Sequence, residues 1–142
     1  MCANSGIDLS NVERGYAALL PLDSDRSARR IRDIVRAKLG VTVGVIVSDT
    51  FGRPWRKGLT DVAIGVAGIA GVVDLRGTED ALGRMMQVTE VCIADELAST
   101  GELVMGKSNG VPVAVIRGGD PSWFRDSSMD EIVRPPSEDL FR

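Results

Sequence analysis

Over residues 24–39 the apolar side chains Ala28, Ile31, Ile34, Val35 and Leu39 recur at helical spacing, with Arg29, Arg30, Arg32, Asp33 and Arg36 between them. That pattern predicts an amphipathic helix with one apolar face. Asp23 or Ser24 can cap its start, and Gly40 supplies a left-handed stop. The pattern changes at once. Residues 41–47 (Val-Thr-Val-Gly-Val-Ile-Val) form a β-branched run too short for a helix, and predict a buried strand. Residues 61–73 are apolar after Asp61 but contain Gly65, Gly68 and Gly71, which favours closely packed strands or a bend over one long helix. From Thr78 or Glu79 to about Gly101, a second helical stripe is formed by Leu82, Met85, Met86, Thr89, Ile93, Ala94 and Leu97. On that helix Asp80 and Arg84 would be an i,i+4 surface pair, and Asp95 with Glu96 a solvated face. Two shorter strands are expected, at residues 16–20, ended by Pro21, and at residues 111–116 after a turn. Residues 74–77 read as a turn, and the chain from Asp120 onward reads as irregular.

Two amphipathic helices with several strand candidates predict an α+β class, with a mixed sheet packed against the helices in one domain over residues 1–142. The composition, 44% hydrophobic and 26% charged over 142 residues, is that of a soluble globular chain. Net charge is −3, so no basic surplus points to nucleic acid. No uncharged apolar run is long enough to cross a membrane, and the first residues lack a basic and hydrophobic leader; a cytoplasmic location is expected. The chain has no histidine and two cysteines, Cys2 and Cys92. That excludes His-dependent catalysis and a Cys/His zinc site within it. Cys92 reads as a small core residue.

The densest chemistry follows the 41–47 run. Asp49, Thr50, Arg53, Arg56 and Lys57 fall within ten residues, around Gly52, Pro54 and Gly58. Asp49 and Thr50 offer hard oxygens of the kind Mg²⁺ or Mn²⁺ takes alongside phosphate. Arg53, Arg56 and Lys57 can hold phosphate oxygens, and a turn at Gly52 and Pro54 would aim the group at one point. An ordinary charged turn between strands is the competing reading. The polar opening segment adds Asp8 and Asn11 as oxygen donors three residues apart, with an Asx turn or a helix cap as the alternative. The arginines of the first helix suggest an anion site or, more simply, a solvated face.

Two glycine patterns lead elsewhere. Residues 101–108 satisfy the phosphate-loop spacing G-x-x-x-x-G-K-[ST]. That motif works when a strand feeds the loop and a helix leaves it, because the helix N-terminus supplies amides and dipole. Here a helix precedes and a turn follows, so the Walker reading fails on context, while a nucleotide contact by Lys107 stays open. Gly65 and Gly68 only loosely follow a dinucleotide-binding spacing.

Several segments together resemble the coenzyme F420:L-glutamate ligases, also called F420-0:gamma-glutamyl ligases. The residues that carry the resemblance are 3–11 (Ala-Asn-Ser-Gly-Ile-Asp-Leu-Ser-Asn), 48–56 (Ser-Asp-Thr-Phe-Gly-Arg-Pro-Trp-Arg), 61–68, 74–77, 94–98, 103–107 and 134–141. They span nearly the whole chain, and the 49–56 run is highly specific. The resemblance implies a GTP-dependent ligase that adds L-glutamate to coenzyme F420-0 through an acyl phosphate. It further implies Mg²⁺ or Mn²⁺, with K⁺ as a further candidate, and a homodimer. Carried over by position, Asp8 and Asp49 are ligands of one metal, Thr50 of a second, and Asn11 a nucleotide contact. The GTP-binding segment falls on Met105, Gly106, Lys107, Ser108, Asn109, Gly110, Val111 and Pro112. Lys107 departs from the family's Gln or Glu, a second-metal ligand; an ammonium cannot ligate a cation, so a phosphate contact is expected there. Family members also begin with roughly a hundred further residues, whose absence would leave a sheet with exposed edges.

Overall fold

The computed structural model describes residues 7–140. In chain order these form strands β1 (Ile7–Asp8) and β2 (Ala18–Leu19), helix α1 (Ser24–Leu39), the long strands β3 (Val45–Arg53) and β4 (Arg56–Ala67), the short strands β5 (Val73–Asp74) and β6 (Glu90–Val91), and helix α2 (Ile93–Met105). Three 3-10 turns follow at Pro121–Trp123, Met129–Glu131 and Pro136–Glu138. The class is α+β. Among the described residues the strands pair as three antiparallel couples, β1–β2, β3–β4 and β5–β6, where the sequence predicts one mixed sheet. Each couple is closed by a local connection, so no crossover is needed. Residues 1–6, with Cys2, and residues 141–142 lie outside the described residues.

Helix α1 starts and stops where its caps dictate. The Asp23 carboxylate accepts from the Arg26 amide at 2.7 Å, and Gly40, at φ 67°, donates its amide to the Arg36 carbonyl. Both helices pack on the β3–β4 hairpin. The core between them is built of small residues. Ala63, Val66 and Ala94 form its centre, with Ile46, Met129 and Ile132 against it. Gly65 shows why small residues are needed: a Cβ there would lie 2.4 Å from the Ser24 carbonyl carbon. The start of α1 therefore rests directly on β4 backbone. Two carboxylates pin the helices to that strand. Asp25 accepts from the Val66 amide at 2.8 Å and the Met129 amide at 3.0 Å, and Asp95 accepts from the Ala63 amide at 2.9 Å. Asp95 is thus a structural clamp rather than part of a solvated face.

Four expectations change. Strand β3 begins at Val45 and runs on through Arg53, so Asp49 and Thr50 sit within a strand, and the sharp turn lies at Pro54 and Trp55. Helix α2 begins at Ile93, not near Thr78. The Asp80 carboxylate accepts from the Leu82 and Arg84 amides, each at 2.8 Å, and Gly83 adopts φ 78°. These local bonds offer the backbone an alternative to the helix and leave Leu82 and Met85 exposed. Asp80 and Arg84 accordingly close a turn instead of pairing across a helix face. Residues 111–116 form no strand ladder among the described residues, and Val113 and Val115 are 70% and 77% exposed. Finally, the apolar face of α1 is only partly covered. Ala28 is fully buried, while Ile31 and Ile34 remain 47% and 45% exposed.

The irregular C-terminal stretch closes one end of the core. Trp123 accepts from the Ala70 amide at 2.7 Å, and Ser127 donates to the Ile69 carbonyl. Arg125 and Glu131 form a two-point ion pair at 2.6 and 2.8 Å. Arg125 also donates to the Val72 carbonyl at 3.0 Å. No helix among the described residues is long and apolar enough to cross a membrane.

Candidate functional site

Strand geometry assembles the centre of the site. Side chains two apart on a strand share a face, and directly opposed residues of an antiparallel pair face the same way. Thr50 lies opposite Asp61 and Ser48 opposite Ala63, so Ser48, Thr50 and Asp61 project together. A register irregularity between Val47 and Ser48 leaves Ile64 as an extra residue on β4 and sets this phase. The Ser48 hydroxyl donates to one Asp61 carboxyl oxygen at 2.9 Å and the Thr50 hydroxyl to the other at 3.1 Å. Asp61 is 7% exposed. Its backbone carbonyl accepts from the Ser99 hydroxyl of α2 at 2.8 Å, which fixes the strand to the helix at this point. Asp49 turns its carboxylate onto the Thr50 amide at 2.8 Å through one oxygen.

The second wall comes from the end of α2. Gly106, at φ 62°, ends the helix by donating its amide to the Glu102 carbonyl. Its φ 62°, ψ 172° is a backbone that other residues rarely adopt, so this tight bend favours glycine. The bend sends Lys107 back over the hairpin, where its ammonium contacts the Thr50 hydroxyl. The N-terminal segment provides the third wall. Asn11 takes a left-handed backbone, φ 54°, and its side-chain amide donates to the Lys107 carbonyl at 3.0 Å. Asp8 forms an Asx turn with Ser10, accepting from its amide at 2.8 Å and its hydroxyl at 2.6 Å. These bonds, with the Lys107 charge as a further contributor, hold the Asp8 carboxyl below its ordinary range.

Together these walls line a cleft of about 280 Å³, reached by Asn11, Asp49, Thr50, Met105, Gly106, Lys107 and Pro112 of the sequence candidates. Ser108, Asn109, Gly110 and Val111 belong to the same bend but not to the cleft lining, and Asp8 stands beside it. Arg53, Arg56 and Lys57 sit at the exposed hairpin tip, outside the lining, with Arg53 donating to the Lys57 carbonyl at 3.2 Å. A larger, open depression along residues 9–17 involves none of these candidates. Three lining residues were not singled out as candidates from the sequence, Ser48, Asp61 and Glu102. The available signal for Asp61 is an acidic residue at the head of an otherwise apolar strand. Cys92 is no rival centre: burial pushes its thiol up to about 11, which keeps it protonated at neutral pH.

The donors here are hard oxygens beside one ammonium, a set suited to phosphate and to Mg²⁺ or Mn²⁺ rather than to softer metals. Among the described residues, Asp8, Asp49 and Asp61 make no direct ion pair. Among the described residues no three carboxylates, cysteines or histidines come together as a ready-made metal cluster.

Comparison with known proteins follows the same segments. The family model described as F420-0:Gamma-glutamyl ligase matches residues 1–118. Proteins named coenzyme F420:L-glutamate ligase from Methanococcus maripaludis strain C7 and from Methanocaldococcus jannaschii are 48% and 46% identical over 143 residues. One of that name from Methanopyrus kandleri is 46% identical over 146 residues. All of this chain is covered in each case, but only 57%, 57% and 58% of the relatives. The chain thus spans little more than half the length of the curated relatives it matches.

Proposed function

The chain belongs to the F420-0:gamma-glutamyl ligase family, and on that premise we propose that it forms part of a GTP-dependent ligase joining L-glutamate to coenzyme F420-0. In the proposed reaction the γ-phosphoryl group of GTP passes to the substrate carboxylate, giving an acyl phosphate and GDP. The glutamate amine then attacks the acyl carbon, forms the amide and expels inorganic phosphate. Such chemistry depends on positioning and on charge neutralisation around the phosphoryl group. The observation that carries the reading is the meeting of Asn11, Asp49, Thr50 and Lys107, from separate segments, at one oxygen-lined cleft.

Asp49 suits a divalent ion, because one of its oxygens serves the Thr50 amide and the other has no hydrogen-bond partner among the described residues. Asp8 is the second carboxylate proposed for that ion, and Mg²⁺ or Mn²⁺ bound there would supply neutralisation of phosphate charge. Thr50 is less suited, since Lys107 already contacts its hydroxyl. Within the cleft Lys107 orients a phosphate oxygen by charge and hydrogen bonding, and Asn11 fixes the bend that carries Lys107. Arg53, Arg56 and Lys57 remain proposed phosphate contacts from the hairpin tip. A homodimer is part of the same proposal.

A second reading, a non-catalytic nucleotide- or metal-binding module that pairs with a separate segment, is favoured by the exposed apolar residues of α1 and of 111–116. Mass spectrometry of F420-0 incubated with GTP, glutamate, Mn²⁺ and this chain separates the two. The chain is assayed alone and together with the portion of a relative that it does not cover. GTP-dependent gain of a glutamyl residue in either mixture supports the ligase reading, and none in both supports the module.

A further inference from the structure

We propose that Lys107 is a built-in cation of the cleft, whose ammonium takes the place at Thr50 that a second divalent ion would need. This deepens the reading of the cleft as a phosphate and metal site and rests on it. The Thr50 hydroxyl has one proton, and it donates that proton to Asp61 at 3.1 Å. What it turns toward Lys107 is therefore a lone pair, and an ammonium, which has donors only, is the matching partner. Asp61 cannot relax this arrangement, because its other oxygen is held by Ser48 at 2.9 Å.

Lys107 is fixed from behind as well. Its carbonyl accepts from Asn11 at 3.0 Å, and the Gly106 bend sets its direction off the end of α2. A divalent ion bound to Thr50 would stand in contact with this ammonium, and like charges at that separation repel strongly. The cleft thus holds one divalent ion, with a lysine as its second positive charge. The lysine supplies that charge as a fixed part of the chain, with three donors for phosphate oxygens.

Counting bound Mn²⁺ by electron paramagnetic resonance, with the metal alone and no nucleotide, tests this. Wild type, Lys107→Gln, Lys107→Arg and the double variant Lys107→Gln/Thr50→Val are titrated to saturation. Lys107→Gln should bind one more ion per chain than wild type. Lys107→Arg should match wild type, and adding Thr50→Val should remove the extra ion. Lys107 is exposed at a helix end, and an unchanged circular dichroism spectrum verifies that each variant is folded. Equal counts in wild type and Lys107→Gln overturn the proposal, as does an extra ion that survives Thr50→Val. The count needs no turnover, so a chain that fails to add glutamate leaves it intact, and equal counts leave the ligase reading intact.

Discussion

Thr50 offers one proton and two lone pairs, and Asp61 decides which of them the cleft receives. Both hydroxyls of this face, Ser48 and Thr50, donate inward to the same carboxyl group. Asp61→Asn keeps the shape but replaces one acceptor oxygen with a donor, so one hydroxyl must reverse or lose its partner. A group this buried then costs about 1–3 kcal/mol, the range for an unmet buried hydrogen bond. The urea midpoint of Asp61→Asn should fall accordingly without a change in slope, and an unchanged midpoint would show that the two hydroxyls are satisfied elsewhere. The sequence made Asp49, Thr50, Asn11 and Lys107 legible as candidates because each carries its chemistry in its side-chain type. Asp61 was not legible as a site residue. Its role depends on which residue it opposes, and that register is set by irregularities in the hairpin at Val47/Ser48 and Gly52/Arg53 that no local pattern announces.

At the scale of elements, α1 was readable to within one residue at its start and to the residue at its end, because caps, periodicity and the glycine stop agree. The start of α2 was not, because the side chain of Asp80 and the left-handed Gly83 outcompete the helix locally while the apolar spacing continues through them. Gly65 of β4 proves to be a packing device. Gly65→Ala would drive a methyl group into the Ser24 backbone, and overpacking of this kind costs about 1–3 kcal/mol. Urea unfolding should register that loss, whereas Gly15→Ala, a position with open space but φ 94°, should report backbone strain alone. The C-terminal strap has its own signature. The Arg125 guanidinium holds the Glu131 carboxyl below its ordinary range, despite some burial acting the other way. A depressed native pKa gives stability that is fully present above the unfolded value and lost as pH falls through the native one. Both side chains are partly exposed, so the contribution is set at about 1 kcal/mol. Glu131→Gln should therefore be less stable than wild type at neutral pH, and the gap should shrink below about pH 4. A gap that stays constant with pH would remove the ion pair from the account.

The whole molecule joins a well-made centre to uncovered margins. Among the described residues Val66 is the largest fully buried side chain, while Ile31, Ile34, Val113, Val115 and Leu39 stand in contact with solvent. On the second reading above, a further body is expected to cover these residues of α1 and of the extended chain. The relatives supply the scale: the chain spans 57–58% of their length. Carboxylate, hydroxyl and ammonium already meet in the cleft, but at about 280 Å³ it is small for a whole nucleotide. Phosphoryl transfer needs the nucleotide fixed before charge neutralisation can act on it. The 142-residue chain by itself is therefore expected to unfold cooperatively in urea, yet to add no glutamate to F420-0 above background. Mixed with the uncovered portion of a relative, it should gain GTP-dependent glutamylation. In the same mixture, hydrogen exchange should slow in α1 and in residues 111–116. Full activity of the chain alone would mean that the Asp49, Thr50 and Lys107 cleft holds GTP without help. Recovery of activity with unchanged exchange would place the added body elsewhere than on these apolar margins.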